Sequence, residues 1–519
     1  MRQGSEHRER VGLSSKKPLR PAREGTGFTH RECMKGPLVA ALAAAGLLGG
    51  CEPAEESEVT IDSAEAELVG SFLPGLEVSS PELLDEAREA FLAVEGIADG
   101  VGPIFNERAC AGCHVEGAIG GAGPNTERRF GRFVDGIFDA LDERGGTLRQ
   151  LFTVGNFNNP DLPPSSRGQC QAGNPTLCCV PVEVDPAEAT VRNVGRLTQP
   201  LFGLGLVDAM PDSFFDGLAA AQPAAIRGVV NRVTVFLPNP GDGSQDLLST
   251  RVGRFGWKAG IPTLMQFSAD AYNNEMAITT QSCFEGASVN TFALENAPNG
   301  PAGSFLDGCD DLAERQAGPN PGGLSAAAWA QVDDAVGPCD GGLTEIQDDV
   351  FLFTVFMTAL APAPRDLGNQ DAIQRGDPLF TQAGCDGCHV RTTFTTPANP
   401  PPVTIGDGDE FIRVPGSFGF NPFSEFLKHD MGALGDMIGE APPDDPAQGP
   451  GDTVATTRQM RTAPLWGIRF RNRLLHDGRC SDIACAVRAH DGQGAAARNA
   501  FNALSSADRS NLIEFIRSL

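Results

Sequence analysis

Two stretches of the 519-residue chain carry the same reactive side chains at the same spacing. "PIFNERACAGCHV" runs from 103 to 115 and "PLFTQAGCDGCHV" from 378 to 390, each ending on Cys-x-Gly-Cys-His-Val. Two thiols one helical turn apart, followed at once by an imidazole, suit covalent attachment of a porphyrin through its two vinyl groups. The His then supplies the proximal ligand to the iron. On this reading Cys110, Cys113 and His114 hold one haem c, and Cys385, Cys388 and His389 hold a second. Zinc uses the same residue types, but a structural zinc site closes with four ligands and each motif offers three, with no fourth nearby. A chance repeat is a poor explanation in a chain with seven His and fourteen Cys.

The sixth position on each iron decides the chemistry. A haem with two strong protein ligands moves electrons, whereas one with an open face activates peroxide or oxygen. Beyond residue 51 the histidines are His114, His389, His429, His476 and His490. None lies between His114 and His389, so the first centre has no local second imidazole. The second has three spare histidines, and Met431, Met437 and Met460 besides.

The elements that must position these groups follow from pattern and composition. Residues 1–33 are polar and basic and read as an over-extended start; "MKGPLVAALAAAGLLGGC", 34–51, reads as a signal peptide. Its Leu48-Gly49-Gly50-Cys51 ending resembles a bacterial lipoprotein box with Cys51 as the lipidated residue; an ordinary cleavage site in a soluble secreted protein is the alternative. Cell-envelope localisation, periplasmic or outer-membrane, follows, with membrane contact only through the lipid anchor. The net charge of −27 argues against nucleic-acid and anionic-lipid partners. Residues 52–79 are an acidic linker.

An N-terminal haem domain is expected over 80–280, entered through "SSPELLDEAREAFLAVEG", with Ser80 as cap, Pro81 at the first helical position, and Leu84, Ala87 and Phe91 at helical spacing. Residues 281–343 form a Gly/Pro/Cys-rich insertion. A C-terminal cytochrome c domain fills 344–519, opening with a helix through "LTEIQDDVFLFTVFMTALAP". It closes with "SSADRSNLIEFIRSL", where Ser505 or Ser506 caps and Leu512, Phe515, Ile516 and Leu519 share a face. The fold expected is mainly α, two cytochrome c-like haem domains with long irregular, loop-rich connections. Outside the haem motifs, and beyond Cys33 and Cys51, eight cysteines remain: Cys170, Cys178, Cys179, Cys283, Cys309, Cys339, Cys480 and Cys485. An even set in an oxidising compartment suits structural disulfides.

At this point whole phrases resemble a known group. "FGWKAGIPTLMQFSADAYNNEM" and "RTAPLWGIRFRNRLLHDGRCSDIACAVRAHDG" are similar to segments of the bacterial di-haem cytochrome c peroxidases. "RRFGR", "QPLFGLGLVDAMPD", "GRFGWKA", "PFSEFLKHDMG" and "LLHDGR" resemble, more closely still, the di-haem oxidoreductase family of the same superfamily. The resemblance covers about residues 90–519. It implies Trp257 between the haems, and Gln266 and Glu275 over the peroxidatic iron. There a carboxylate takes and returns the peroxide proton and an amide bonds the developing charge. Without the resemblance, the same residues read as a buried Trp and an amphipathic helix, Leu264 to Glu275, with its polar side in water.

The resemblance also implies His490 as distal ligand of the second haem, giving a bis-imidazole iron of lower potential. Met431 and His429 are its rivals, and His476 stands behind the ligand rather than on the iron. Three departures matter. No His follows shortly after the first motif; Asp270 replaces a Pro; and Arg471 and Arg473 replace the Thr and Pro that help hold calcium, which argues against a calcium ion.

The leading function is therefore a peroxidase-like di-haem oxidoreductase. Its first haem, at His114, would react with peroxide or oxygen, and its second, at His389 and His490, would relay electrons. A small redox protein or a quinol-linked donor or acceptor would be the partner. A di-haem oxygenase or substrate-oxidising enzyme on the same scaffold is the second reading, and an electron-transfer cytochrome without a substrate the third.

Overall fold

The structure, a computed structural model, describes residues 69–96, 101, 104–141, 146–153, 184–238, 245–276, 278, 345–405, 409–441 and 451–519. The signal segment with Cys51, most of the linker, the 281–343 insertion, and Cys170, Cys178, Cys179, Cys283, Cys309 and Cys339 lie outside these residues.

The helix expected after Ser80 forms as α1, Glu82–Leu92. The Leu83 N–H donates to Ser80 Oγ at 3.2 Å, and Pro81 sits at the start, where its missing N–H costs nothing. Its buried face is Leu83, Ala87 and Phe91, with Leu84 at the margin. After the short first-motif helix α2, Cys110–Cys113, come α3, Leu204–Asp208, and α4, Asp212–Ala221. Then follow α5, Leu264–Met276, and α6, Glu345–Ala359.

Helix α6 is apolar on most sides, and Val350, Phe351, Val355 and Phe356 are all buried. Such a helix belongs in the middle of a core rather than on its surface. It packs against both α1 and α5, and Phe91 stacks on Phe356 at 4.3 Å. Two polar pairs fix α5 in register against it: Ser268 Oγ with Thr354 Oγ1 at 2.9 Å, and Tyr272 OH donating to Asp349 Oδ2 at 3.3 Å. This core reaches from Val69 to Trp466 and takes in Phe394, Ile412 and Phe426, so it joins both halves of the chain.

A second core lies at the C-terminus. Helix α7, Gln370–Gln382, is capped by Asn369, and α10, Ser506–Arg517, by the Ser505 side chain. They approach closely because Gly376 faces the Asn511 carbonyl; a Cβ there would stand 2.0 Å from that oxygen. Phe380, Phe423, Leu512, Phe515, Ile516 and Leu519 fill the contact, as the apolar face of the last helix anticipates. Helices α8, Ile483–Ala489, and α9, Ala495–Ala503, complete this end. Cys480 and Cys485 form a disulfide. Among the described residues no helix is long and apolar enough to cross a membrane.

The fold class departs from the expectation. Of the described residues 35% are helical and 18% lie in strands, and the strands form six antiparallel sheets, so the protein is not mainly α. The largest is built on β1, Thr126–Val134, which pairs with β2, Ile137–Asp139, β3, Leu148–Arg149, and β4, Val191–Leu197. "TERRFGRFV" shows no alternation because it has no fully solvated face: polar side chains on one side line an internal cavity. Its burial runs without period two, and a bulge near Gly131 breaks the register. Pattern reading depends on one dry face and one wet face, and this sheet has neither in pure form.

Candidate active site

His114 is set by the glycine-rich loop that follows it. In "GAIGGAG", 117–123, a Cβ on Gly121 would lie 1.9 Å from the Glu116 carbonyl oxygen, and one on Gly123 1.5 Å from that of Cys113. Only glycine allows the backbone to fold back so tightly, and the return brings the Gly121 carbonyl to His114 Nδ1 at 3.1 Å. That bond fixes the tautomer, so Nε2 is the nitrogen that would coordinate an iron; the Gln199 backbone also bonds the ring. Burial pushes the imidazole down to about 4, so it is neutral at physiological pH.

Cys110 and Cys113 are unpaired, as are Cys385 and Cys388. Burial pushes the Cys113 and Cys385 thiols up to about 12, and those of Cys110 and Cys388 higher. Thiols held neutral in this way are poor thiolate ligands for a metal ion.

A cavity of about 1230 Å³ opens beside His114 and Cys113, and Trp257, Gln266 and Glu275 all line it. Helix α5 carries two of these: Gln266 near its first turn and Glu275 near its last. Glu275 is held from both ends. Its carbonyl accepts the Asn106 and Glu107 N–H groups at 2.7 and 3.1 Å, and its Oε2 accepts from Asn106 Nδ2 at 2.9 Å. Burial, reinforced by the neighbouring Glu127 carboxylate, pushes the Glu275 carboxyl up to about 8 against the pull of Asn106 and Arg129. Gln266 presents a buried Oε1 with no protein partner, a polar atom oriented for something not made of protein. Trp257 is buried, donates its indole N–H to the Leu197 carbonyl at 2.9 Å, and meets His476 edge-on at 6.2 Å.

The rest of the cavity is charged, and pattern reading missed it. Arg129 holds Glu127 by Nε at 2.8 Å and Nη2 at 3.0 Å. Arg196 pairs with Asp436 at 2.8 Å and with Glu440, and Lys258 pairs with Asp436 at 2.7 Å. Burial would raise Asp436, but Arg196 and Lys258 hold it well below the usual carboxylate range. Asp270, the residue in place of proline, is pushed up to about 6 by burial and bonds Asn274 at 2.9 Å. A signal for Asn106 did exist: the two motif copies differ at this point, with Asn106-Glu107 in one and Thr381-Gln382 in the other. Glu127 and Arg129 gave none, because they belong to the sheet that escaped detection.

The second motif is held differently. A 3-10 turn, Cys385–Gly387, carries its first thiol, and the His389 Nδ1 bonds the Phe423 carbonyl at 2.8 Å. Phe423 adopts φ of 51°, a left-handed conformation disfavoured for an aromatic residue and kept where the site needs it. Burial again lowers the imidazole to about 4, and His490 and His429 are close enough to add to the effect. His490, at the end of α8, bonds the Ala486 carbonyl through Nδ1 at 2.8 Å, which leaves its Nε2 for coordination.

His429 is buried and engaged on both nitrogens, Nε2 with Glu425 at 2.6 Å and Nδ1 facing Cys388 Sγ at 3.7 Å. Met431 approaches His490: its Cε and the His490 Cβ both pack at Gly494. Cys388, Glu425 and His429 are also the one cluster of metal-ligating atoms among the described residues. Arg471 is half-buried with its Nε and Nη2 inside and unpartnered, and Arg473 donates to Thr126 Oγ1 at 3.1 Å.

Both motifs therefore fit a haem by their own chemistry: two unpaired thiols, a neutral imidazole with one nitrogen fixed, and at the first a cavity with an idle polar atom.

No curated protein matches the chain. Among solved structures, that of Kuenenia stuttgartiensis hydrazine synthase pressurised with 20 bar xenon is similar at 16% identity and a TM-score of 0.22. The match covers 34% of this chain and 56% of that one, so the chain spans little more than half of its length, and so faint a likeness fixes neither fold nor chemistry. The family described as "Di-haem oxidoreductase, putative peroxidase" matches residues 181–319 and 328–519. These two stretches include the second motif, Trp257, Gln266, Glu275 and His490 and make up more than half of the sequence, so the chain belongs to the di-haem oxidoreductase family.

Proposed function

We propose that the protein is an exported c-type di-haem oxidoreductase with peroxidase-like chemistry, reacting at His114 and relaying electrons at His389. The convergence of His114, Cys113, Trp257, Gln266 and Glu275 on one cavity carries this reading. When bound through Cys110, Cys113 and His114, a haem supplies the redox-active iron. The chain's residues do the rest. Hydrogen peroxide, two electrons and two protons give two waters, and Glu275 moves a proton from the near oxygen to the departing one. A carboxyl at about 8 is suited to this, since it takes and returns a proton near neutral pH. Asn106 keeps its Oε2 in place, and the Gln266 amide bonds the oxygen that gains charge. Trp257 lies in the cavity wall and against His476, on the side from which electrons would arrive. At the second centre His389 and His490 would hold the iron, in preference to His429, whose nitrogens are already engaged.

Export rests on the 34–51 segment and on a lipid at Cys51. Cys51→Ala should move the protein to the soluble fraction with its haem retained, and unchanged fractionation removes the anchor. Purified from a host that matures cytochromes c, the protein should yield two covalent haems by pyridine haemochrome. Its ferric paramagnetic resonance spectrum should show one high-spin signal lost on adding peroxide. A single haem, or two low-spin signals indifferent to peroxide, overturns the proposal.

A further inference from the structure

Arg461, buried, and Arg471, half-buried with its Nε and Nη2 inside, lie in the wall behind Trp257, and neither is ion-paired among the described residues. Arg461 spends its donors on neutral oxygens: Nε on the Gly256 carbonyl at 2.6 Å, Nη1 on Thr462 O at 3.1 Å and Nη2 on Gln199 Oε1 at 2.7 Å. Arg471 keeps Nε and Nη2 buried without an acceptor, and so does the Gln199 Nε2 amide. Glu116 acts on Arg471 only from a distance, because its oxygens accept from Asn472 N and Nδ2 at 3.2 and 3.1 Å. Native proteins rarely leave three buried donors idle, two of them on a cation. The gap they face is narrow, about 10 Å³, which admits one water-sized atom such as a carboxylate oxygen and not a ring. Gln199, Phe255 and Trp257 line both this gap and the large cavity at His114.

We propose that Arg471 and Gln199 clamp a carboxylate, and that this carboxylate is a propionate of the haem at Cys110, Cys113 and His114. The assignment rests on the haem reading of that cavity. Nε and Nη2 form one edge of a guanidinium, the edge that takes both oxygens of a carboxylate. Arg461 orients Gln199 through its Oε1 and so turns the amide nitrogen toward the same gap. The bound carboxylate neutralises a cation that is otherwise half-buried alone, and the cation favours the reduced haem beside Trp257 by countering the negative charge of the propionate.

The experiment takes the haem-loaded protein and counts haem first. Parent, Arg471→Lys and Arg471→Gln are then compared by spectroelectrochemical titration and by the propionate bending bands of the resonance Raman spectrum. One midpoint should move to more negative potential in Arg471→Gln and by less in Arg471→Lys, with the propionate band shifted and two haems retained. Acetate and chloride, titrated at constant ionic strength, should leave the parent unchanged because the carboxylate is tethered. A response to either ion assigns the gap to a free anion and overturns the propionate. Two bound haems with midpoint and band unmoved overturn the clamp alone, whereas a parent protein with no haem at the first motif overturns the haem reading as well. If Arg471→Gln does not accumulate, Arg471→Met gives the answer by Tm. Removing a truly unpaired cation raises Tm, which refutes the clamp, and stranding a buried carboxylate lowers it.

Discussion

The cavity at His114 is lined by carboxyls, Glu275 and Glu127 with Asp270 beyond, whereas His389 has two imidazoles for company, His490 and His429. The two motifs differ in backbone support as well. Glycine folds the chain back onto His114, while at His389 a residue with a side chain, Phe423, is held left-handed by the apolar core around Phe380 and Phe515. A loop of glycines lets the backbone fold back tightly beside a cavity, and a packed core holds its neighbours still. The proposed attachment residues would say only that a haem is held. What the haem then does is set by whether the surrounding groups can exchange protons or can only coordinate.

The largest effect should come from removing the proton carrier. Glu275→Gln keeps the shape of the site and should slow the reaction with peroxide by roughly 10²-fold or more, with both haem spectra almost unchanged. In the parent the rate should rise with pH through about 8, since the base form of Glu275 is scarce below that value and the carboxyl has been pushed up, not down. The variant should lack this rise. Stopped-flow rates across pH decide it, and a parent-like rate in Glu275→Gln places the reactive pocket elsewhere.

At the other centre a single ligand is at stake. His490→Ala should turn the second haem from low-spin to high-spin or weakly ligated, while His429→Leu should leave it low-spin, because His429 is already bound to Glu425. Paramagnetic resonance of the ferric variants separates them. A low-spin signal surviving in His490→Ala hands the position to Met431, which packs beside His490.

Local chemistry was readable where it is written in consecutive residues. The cap of the last helix, read as Ser505 or Ser506 and found at Ser505, and the apolar set of Leu512, Phe515, Ile516 and Leu519 depend on short-range spacing, and the structure has them. The sheet around Thr126–Val134 was not readable, since Glu127, Arg129 and Arg196 put charge inside and so erase the alternation that marks a strand. The buried ion pairs suffered the same fate. Arg196 and Asp436 are 240 positions apart, and no local pattern announces a partner at that range.

Asn106 offers the finest test of the contrast, because it sits where the two motif copies diverge. Its side chain donates to Glu275 Oε2 and accepts the Leu151 N–H at 3.0 Å, so it ties the acid to the backbone that follows Leu148–Arg149. A donor to a carboxylate favours the charged form, and Asn106 is one of the influences holding Glu275 down against burial. Asn106→Leu removes that influence and should raise the Glu275 carboxyl further. A hydrogen bond to a charged group is worth about 1.5–3 kcal/mol, and one unit of pKa about 1.4 kcal/mol. The rise of rate with pH should therefore move upward by about one unit, and the rate at pH 7 should fall about tenfold while the rate at high pH recovers. Thr381→Leu, the matching change at the second motif, should shift neither, since no proton is transferred there. A profile for Asn106→Leu that is lower at every pH, without displacement, means that Asn106 supports only the fold and that Glu275 is tuned by burial and Glu127 alone.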